Sequence, residues 1–364
     1  MELKKRKVIF DVDTGSDDAL ALMAGILSPE FDIVGICTVN GNLPVPNTTE
    51  NTLRVVELMK ATHIPVIRGC ATPITATLDP LRKMRQRSND GVSAEGEDVT
   101  YHAPSLPLPP ATIKAVEGTN AVCWYIDTLM NATEKITLIM VGPLTNFALA
   151  YRAEPEIIKN VEEIILMSGG HDQRNSTAAS EYNVFIDPEA TAIVLDCGAK
   201  ITMMPLDATH KANMRPKHQA LFESWGNAVG DFVAAEIEAR LKAYNTMQPL
   251  HEPDIAPIHD ALCVLYLLDP TVITKMKHMR CDVVCGGIAD GQTLFDTRHF
   301  NDAPKNVYVC LDTDEEKHQL ETINEESKEM LETMKAVLGE NVTAVRFTNR
   351  LKSHPVCLIS EGVL

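Results

Sequence analysis

Short apolar runs alternate with helical patterns along the first seventy residues of the chain. The run Val8-Ile9-Phe10 ends at a group of aspartates, and apolar residues then recur at helical spacing over Asp17–Leu27. A branched apolar run over Phe31–Val39, a helical pattern over Asn47–Met59 and a short strand at Pro65-Val66-Ile67 follow. Strands that alternate with helices are typical of an α/β protein with a parallel sheet.

The alternation stops at a long polar segment and then resumes. Residues from Thr72 to about Pro110 carry Pro, Gly, Ser, Asp and Glu with little periodicity, which indicates a lid or binding loop, or else disorder; we favour a lid. Beyond it the pattern predicts further strands and helices. The strands are Thr137–Val141, Glu163–Met167 and Ile201–Pro205, and the helices Asn120–Leu129, Leu144–Ala150, Pro188–Asp196, Lys217–Tyr244 and Pro257–Leu268.

These elements predict one large α/β domain over residues 1–364. We expect a single open, mostly parallel, Rossmann-like sheet flanked by helices, with a lid loop at about 72–110. A mixed C-terminal part spans about 270–364, with short strands over Asp282–Ile323 and a helix over Asn324–Leu338. A length of 364 residues also allows two separate domains.

Composition excludes several classes of partner. The net charge of −17 repels phosphate backbones, so nucleic acid is not expected to bind. The nine cysteines include no CxxC pair, which favours reduced thiols over a zinc site or a disulfide framework. The chain shows no signal-peptide pattern and no apolar run of membrane-spanning length, so a soluble cytoplasmic protein without a membrane partner is expected.

An aspartate cluster follows the first predicted strand and carries the strongest chemical signal. Asp11 and Asp13 alternate along the strand end and point to one side, whereas Asp17 and Asp18 open a helix, where carboxylates cap free N–H groups. Four carboxylates so close together repel one another, and a bound divalent cation removes that cost. Because the ligands would be oxygens alone, Ca²⁺ or Mg²⁺ is favoured over zinc.

Three kinds of site begin with such a segment. An EF-hand loop would need glycine at its sixth position and a bidentate Glu where Leu22 stands. A phosphatase of the haloacid-dehalogenase type also uses Asp-x-Asp, but the two further acids here would repel a phosphate. The third kind is a nucleoside hydrolase: Asp-Val-Asp-Thr-Gly-Ser-Asp-Asp-Ala, from Asp11 to Ala19, resembles that family's signature Asp-x-Asp-x-Gly-x-Asp-Asp-Ala.

Later segments resemble the same family in the same order along the chain. They are Gly41-Asn42, Ile64-Pro65-Val66 with Gly69 and Pro73, Val141–Asn146, Met167–Gly170, Asn175 with Glu181 and Asn183, Asp187–Ala190, Pro205–His210 and His259-Asp260. An ordered set of this length is very unlikely to arise by chance.

The resemblance implies a Ca²⁺-dependent hydrolase that cuts the N-glycosidic bond of ribonucleosides. Asp13, Asp18, Asp260 and the carbonyl of Val141 would bind the ion, and Asp13 would also accept the proton of the attacking water. His259 would lie near the base and assist its departure, and Asp11 would support the cluster from behind. The ribose would be held by Asp17, Asn42, Met167, Asn175, Glu181 and Asn183.

General chemistry agrees with these roles. Cleavage of a C1′–N bond builds positive, oxocarbenium character on the sugar, which surrounding carboxylates and carboxamides stabilise. A cation orients and acidifies the water, and a carboxylate base completes the nucleophile.

Two departures from the family pattern concern the base. Some members carry a histidine in the flexible loop, but Arg87-Ser88-Asn89-Asp90-Gly91 has none and His102 lies beyond it. Purine-specific members have Trp before the last metal aspartate, where this chain has His259, so a pyrimidine or broad (inosine–uridine) preference is expected. Tyr244 and His251 lie in the variable stretch before His259 and are within possible reach of the base, but neither is assigned a role. Pro257 is expected to place His259 and Asp260 in the first turn of a helix.

The resemblance also bears on assembly and physiology. It implies a homodimer or homotetramer that acts in nucleoside catabolism and in purine and pyrimidine salvage. A protein that binds nucleosides without cleaving them is the competing hypothesis.

Overall fold

A large sheet forms the centre of the protein. The computed structural model describes residues 4–80, 82, 90–92, 96, 98–298, 303–314, 345–347 and 357–359. The strands are β1 (Arg6–Val12), β2 (Phe31–Thr38), β3 (Val66–Arg68), β4 (Asp90–Val92), β5 (Asp98–Thr100), β6 (Ile136–Met140), β7 (Val161–Met167), β8 (Ile201–Met204), β9 (Asn213–Met214), β10 (Ala256–Pro257), β11 (Ile273–Met279), β12 (Cys281–Val283), β13 (Thr293–Phe295), β14 (Val307–Thr313), β15 (Val345–Phe347) and β16 (Cys357–Ile359).

The central sheet has eight strands in the order β11-β14-β8-β7-β6-β1-β2-β3. Its pairs are parallel except for β11, which runs antiparallel to β14 at one edge. The predicted open, mostly parallel α/β sheet is therefore confirmed.

Helices cover both faces of this sheet. They are α1 (Ser16–Leu27), α2 (Val45–Leu58), α3 (Ala121–Met130), α4 (Thr145–Ala153), α5 (Tyr182–Ile186), α6 (Pro188–Leu195), α7 (Leu206–Thr209), α8 (Pro216–Glu223), α9 (Ala228–Met247) and α10 (Ala261–Leu268).

The core has one layer on each side of the sheet because side chains alternate along β1. Val8, Phe10 and Val12 pack with α1, α2, α9 and α10, whereas Ile9 packs on the other face with α3, α4 and α6. Strands that are covered on both faces are rich in apolar residues, and these apolar runs allow the strands to be predicted from the sequence.

The order of the strands reverses between β1 and β6. From β1 the chain proceeds to β2 and β3 on one side, and from β6 to β7 and β8 on the other. Ligands in open α/β sheets bind in the crevice that such a reversal leaves at the carboxyl ends of the strands. Asp13 follows β1 and Val141 follows β6, so both lie at this crevice.

Two helix predictions are corrected by the structure. The predicted helix over Lys217–Tyr244 is two helices, α8 and α9, because Gly226 takes a left-handed conformation (φ 60°) and Asn227 caps α9. Pro257 does not open a helix: it lies in β10, pairs with Asn213, and α10 begins only after Asp260.

The polar segment and the C-terminal part hold structure that periodicity does not reveal. The segment at about 72–110 includes a 3₁₀ turn at Ala76–Leu78 and the hairpin β4–β5, and the edge strand β11 was not predicted. The helix predicted over residues 324–338 lies outside the described residues. Among the helices that the structure describes, none is both long and apolar enough to cross a membrane.

Candidate active site

Three buried carboxylates meet at the carboxyl end of the sheet. One oxygen each from Asp17, Asp18 and Asp260 lies within 4.8 Å of the others. Asp18 closes the turn after β1, since its carboxylate accepts from Asp13 N at 3.1 Å and Gly15 N at 3.0 Å. Of the two expected helix caps, Asp18 therefore bonds the backbone, while Asp17 forms an ion pair with Arg240 at 3.0 Å.

Asp13 lies beside this cluster in a tight backbone cradle. Its Oδ2 accepts from Asn42 N at 2.6 Å, while its buried Oδ1 has no hydrogen-bond partner among the described residues. A Cβ on Gly41 would lie 2.1 Å from Asp13 Oδ2, and a Cβ on Gly142 would lie 2.7 Å from Oδ1. Only glycines permit this close approach, and the fixed carboxylate keeps one oxygen free.

The acids cannot all be ionised without a counter-charge. Burial raises the pKa of Asp18 to about 7, and burial with the charges of Asp17 and Asp18 raises the pKa of Asp260 well above its usual range. Burial followed by the charge of Asp18 does the same to the pKa of Asp13. Burial is the largest single effect on Asp17, but the Arg240 cation, together with smaller contributions from His102, His259 and a backbone hydrogen bond, outweighs it and lowers the pKa of that carboxyl.

Asp11 lies behind the cluster and is held from two sides. Tyr125 Oη and Asn146 Nδ2 each donate to its carboxylate at 3.0 Å. Burial raises its pKa to about 8 despite these bonds. Of the five aspartates Asp11, Asp13, Asp17, Asp18 and Asp260, only Asp17 and Asp260 line the adjacent cavity.

A divalent cation fits this arrangement. The donors are carboxylate oxygens, and Asp13 Oδ1 and Asp17 Oδ1 are buried without a hydrogen-bond partner among the described residues, although Asp17 Oδ1 is paired with the Arg240 cation. A cation relieves the mutual repulsion of these acids. Val141, the residue after β6, also lines the cavity.

Amide and acid groups form the opposite wall of the cavity. Asn183 Nδ2 donates to the carbonyls of Val141 at 2.7 Å and Met167 at 3.1 Å, which ties the ends of β6 and β7 together. Glu181 caps α5 by accepting from Asn183 N and Val184 N, and burial raises its pKa to about 7.

Aromatic and histidine side chains enclose the third side. His259 Nδ1 lies 2.7 Å from Thr209 Oγ1, and its Nε2 lies 2.5 Å from Tyr244 Oη, so both ring nitrogens have partners. Burial lowers the pKa of His259 well below its usual value, so the ring is neutral. The Tyr101 ring packs edge-on against Tyr244 at 5.7 Å and brings the polar segment to the site.

The structure brings the predicted sugar and base residues to one cavity. Its lining is Asp17, Asn42, Tyr101, His102, Val141, Met167, Asn175, Glu181, Tyr182, Asn183, Arg240, Tyr244, His259 and Asp260. His251, in contrast, is largely exposed and lines another cavity.

Sequence reasoning missed Tyr101, Tyr182 and Arg240 and left Tyr244 without a role. Arg240 and Tyr244 are four residues apart on α9, so their spacing alone puts them on one helix face. Tyr101 and His102 carry no local signal, because only the path of the polar segment brings them to the site.

Comparison with known proteins identifies the family. The family model described as inosine-uridine preferring nucleoside hydrolase matches residues 8–319. The chain belongs to this family. Nucleoside hydrolases cleave N-glycosidic bonds, so the chain is an enzyme of that class. A second model, Hsp90 protein, matches residues 288–363, most of which lie beyond the hydrolase match.

Individual nucleoside hydrolases resemble the chain over most of their length. The inosine-uridine preferring nucleoside hydrolase of Leishmania major is 34% identical over 85% of this chain and 94% of that protein. The pyrimidine-specific ribonucleoside hydrolase RihB of Escherichia coli (strain SE11) is 35% identical over 86% and 95%. The solved plant nucleoside hydrolase PpNRh1 superposes with a TM-score of 0.74 at 27% identity, over 86% of this chain and 96% of that one.

Proposed function

We propose that this nucleoside hydrolase uses Ca²⁺ to cleave ribonucleosides into ribose and free base, with a pyrimidine or broad (inosine–uridine) preference. The observation that carries the proposal is the Asp13 carboxylate, whose unpartnered oxygen lies beside the acid cluster. The sugar-binding groups line the cavity next to these acids. Relatives named as inosine-uridine preferring and pyrimidine-specific support the preference.

Asp13, Asp18, Asp260 and the Val141 carbonyl would hold the ion. When bound, Ca²⁺ supplies positive charge that orients the attacking water and the sugar hydroxyls and makes the water more acidic. Asp13 accepts the proton of that water at its free oxygen. Its second oxygen stays bonded to Asn42 N, which keeps the base in place during the transfer.

The sugar is held by groups that favour its positive transition state. Asp17, Asn42, Met167, Asn175, Glu181 and Asn183 surround the ribose; the acids and amides among them accept from or donate to its hydroxyls. A carboxylate near the ring stabilises oxocarbenium charge more than it stabilises the ground state, which is the requirement for catalysis.

The base leaves toward His259 and Tyr244. Because both nitrogens of His259 are already bonded, the imidazole acts on the base through its partners in this arrangement. Tyr244 is the partner that lines the cavity, so we place its hydroxyl at the leaving group. Tyr244 gives its proton to the departing base, the neutral His259 ring donates a hydrogen bond from Nε2 to the Tyr244 oxygen, and solvent returns a proton to Tyr244 after the base has left.

The decisive experiment measures base release from purine and pyrimidine, ribo- and deoxyribonucleosides. We expect release from uridine or inosine, loss of turnover in Asp13→Ala, and slowing by a strong calcium chelator. Asp127→Ala removes an exposed acid on α3 and is the matched control. Full activity in Asp13→Ala would refute the mechanism.

A binding protein that no longer catalyses is the second candidate. It would bind nucleosides tightly and release no base over hours. The intact cradle around Asp13 argues against it, since a pure binder has no use for a fixed proton acceptor. A phosphomonoester panel is the negative control for phosphatase activity.

Further features of the proposal concern the whole chain. We propose one hydrolase domain in which the segment at about 72–110 is the lid, assembled as a homodimer or homotetramer. A cytoplasmic location and a role in nucleoside catabolism and salvage complete the proposal. Sedimentation of the purified protein tests the assembly.

A further inference from the structure

We propose that Arg240 is a positioning residue that holds the sugar-binding Asp17 and the base-side His259 in one frame, so that sugar binding and base departure are coupled. The inference rests on the proposed function of the site. It concerns a side chain that contributes no metal ligand and has no counterpart in the sequence motifs.

Arg240 joins three parts of the site through one guanidinium group. Its Nη1 lies 2.9 Å from Ser16 Oγ and 3.0 Å from Asp17 Oδ1, at the start of α1. Its Nε and Nη2 donate to the carbonyl of Pro257 at 3.0 and 2.5 Å, two residues before His259. A planar fork of donors is the group that can hold two separate segments at a fixed angle.

The same group also contacts the aromatic side of the site. The guanidinium carbon lies 5.5 Å from the centre of the Tyr244 ring, a distance at which a cation is attracted to the face of an aromatic ring. Tyr244 in turn bonds His259. Arg240 therefore contacts Asp17 directly and reaches His259 by two routes, through Pro257 and through Tyr244.

Burial makes the position of this cation depend on its partners. Arg240 is only 2% exposed, and a buried charge is stable only when it is paired and hydrogen-bonded. Asp17 is the site acid with which it forms an ion pair. The protein thus neutralises Asp17 itself, which leaves Asp13, Asp18 and Asp260 for the metal ion.

The test compares ribose and Ca²⁺ binding with turnover in Arg240→Met, Arg240→Lys and the control Lys242→Met. Lys242 is an exposed cation two residues further along α9. In Arg240→Met we expect the ribose Kd to rise roughly 10- to 150-fold, the range for loss of a charged hydrogen bond. The Ca²⁺ Kd should stay level or fall, because a positive charge has left the neighbourhood of the ligands.

Arg240→Lys keeps the charge and guards against a folding failure of the Met variant. One ammonium group cannot bond Ser16, Asp17 and the Pro257 carbonyl in the same planar geometry, so we expect an intermediate loss of ribose affinity and of kcat. A merely structural role predicts a different pattern: ribose and Ca²⁺ binding would weaken together, in parallel with the melting temperature.

The double variant Asp17→Asn/Arg240→Met decides whether Arg240 acts through Asp17. Coupled groups give a double variant no worse than the worse single variant, whereas independent groups give losses that multiply. Multiplying losses in ribose affinity, or a ribose Kd in Arg240→Met within twofold of wild type, would overturn the inference. Wild-type protein that binds ribose but releases no base would refute the proposed function and leave this comparison intact.

Discussion

Replacement of Tyr244 by Phe tests whether base departure depends on the bond between Tyr244 and His259. The two side chains are 4% and 6% exposed, and Tyr244 Oη lies 2.5 Å from His259 Nε2. The substitution removes one oxygen and keeps the ring that packs against Tyr101. The substitution therefore separates the contribution of the hydroxyl from that of the ring packing.

The expected loss follows from the burial of this bond. A buried polar group left without its partner costs about 1–3 kcal/mol. A bond that is equally strong in the free enzyme and in the transition state would leave kcat/KM unchanged, so the loss applies to an interaction that the Tyr244 hydroxyl makes with the leaving base only in the transition state. Loss of an interaction of this size corresponds to a roughly 5- to 150-fold fall in kcat/KM, at about 1.4 kcal/mol per factor of ten. The loss should depend on the leaving group, because a base that leaves as a poor anion needs the proton most.

The assay is the steady-state rate on uridine and inosine beside that on 4-nitrophenyl riboside, whose leaving group needs no proton. We expect the loss with the nucleosides and almost none with the nitrophenyl substrate. Tyr308→Phe is the control, since Tyr308 also packs on a histidine ring, His278, at 4.2 Å. Equal losses on all three substrates would show that Tyr244 shapes the pocket and does not take part in proton transfer.

Two other predictions concern the acid cluster. Burial raises the pKa of Asp11 from 3.8 to about 8 and that of Asp18 from 3.8 to about 7, so calcium-free protein loses stability as the pH rises from the ordinary value through the raised ones, and its melting temperature should fall between about pH 4 and pH 8. Added Ca²⁺ should stabilise most at the higher pH, and a calcium-free melting temperature that rises with pH would contradict the electrostatic argument. Gly41→Ala should displace Asp13, because the new Cβ would lie 2.1 Å from Oδ2, and we expect a loss in kcat/KM of about 100-fold with weaker Ca²⁺ binding. An unchanged calorimetric titration of that variant with Ca²⁺ would show that the cradle accommodates the extra methyl group without moving Asp13.

The sequence predicts the parts of the fold that repeat a simple rule. The strands β1, β2, β6 and β7 are buried over most of their length, and each contains a run of apolar residues that marks it in the sequence. The misread elements are those where a long-range contact overrides local preference. Pro257 suits the first turn of a helix, but its pairing with Asn213 draws it into a strand.

The residues of the site also divide into those that the sequence predicts and those that it does not. Asp13 and Asn42 lie in the turns after β1 and β2, and Asp18 lies in the first turn of α1 directly after β1. The topology of a parallel sheet brings strand ends together whatever the connections between them. Arg240 and Tyr101 come from a long helix and a polar segment, and their places depend on how those elements dock. The placement of these elements depends on side-chain packing between distant segments, which cannot be predicted from a single sequence.

The bond from Asn183 to Val141 makes ion and sugar depend on one another. Asn183 Nδ2 donates to the same carbonyl that we assign to the ion, and Asn183 also lines the sugar wall. Thermodynamic linkage is reciprocal: whatever factor the ion adds to sugar affinity, the sugar must add to ion affinity. On the proposed function, an ion that strengthens sugar binding is itself held more tightly when sugar is bound, so the enzyme would lose the ion most readily when it has no nucleoside to cleave.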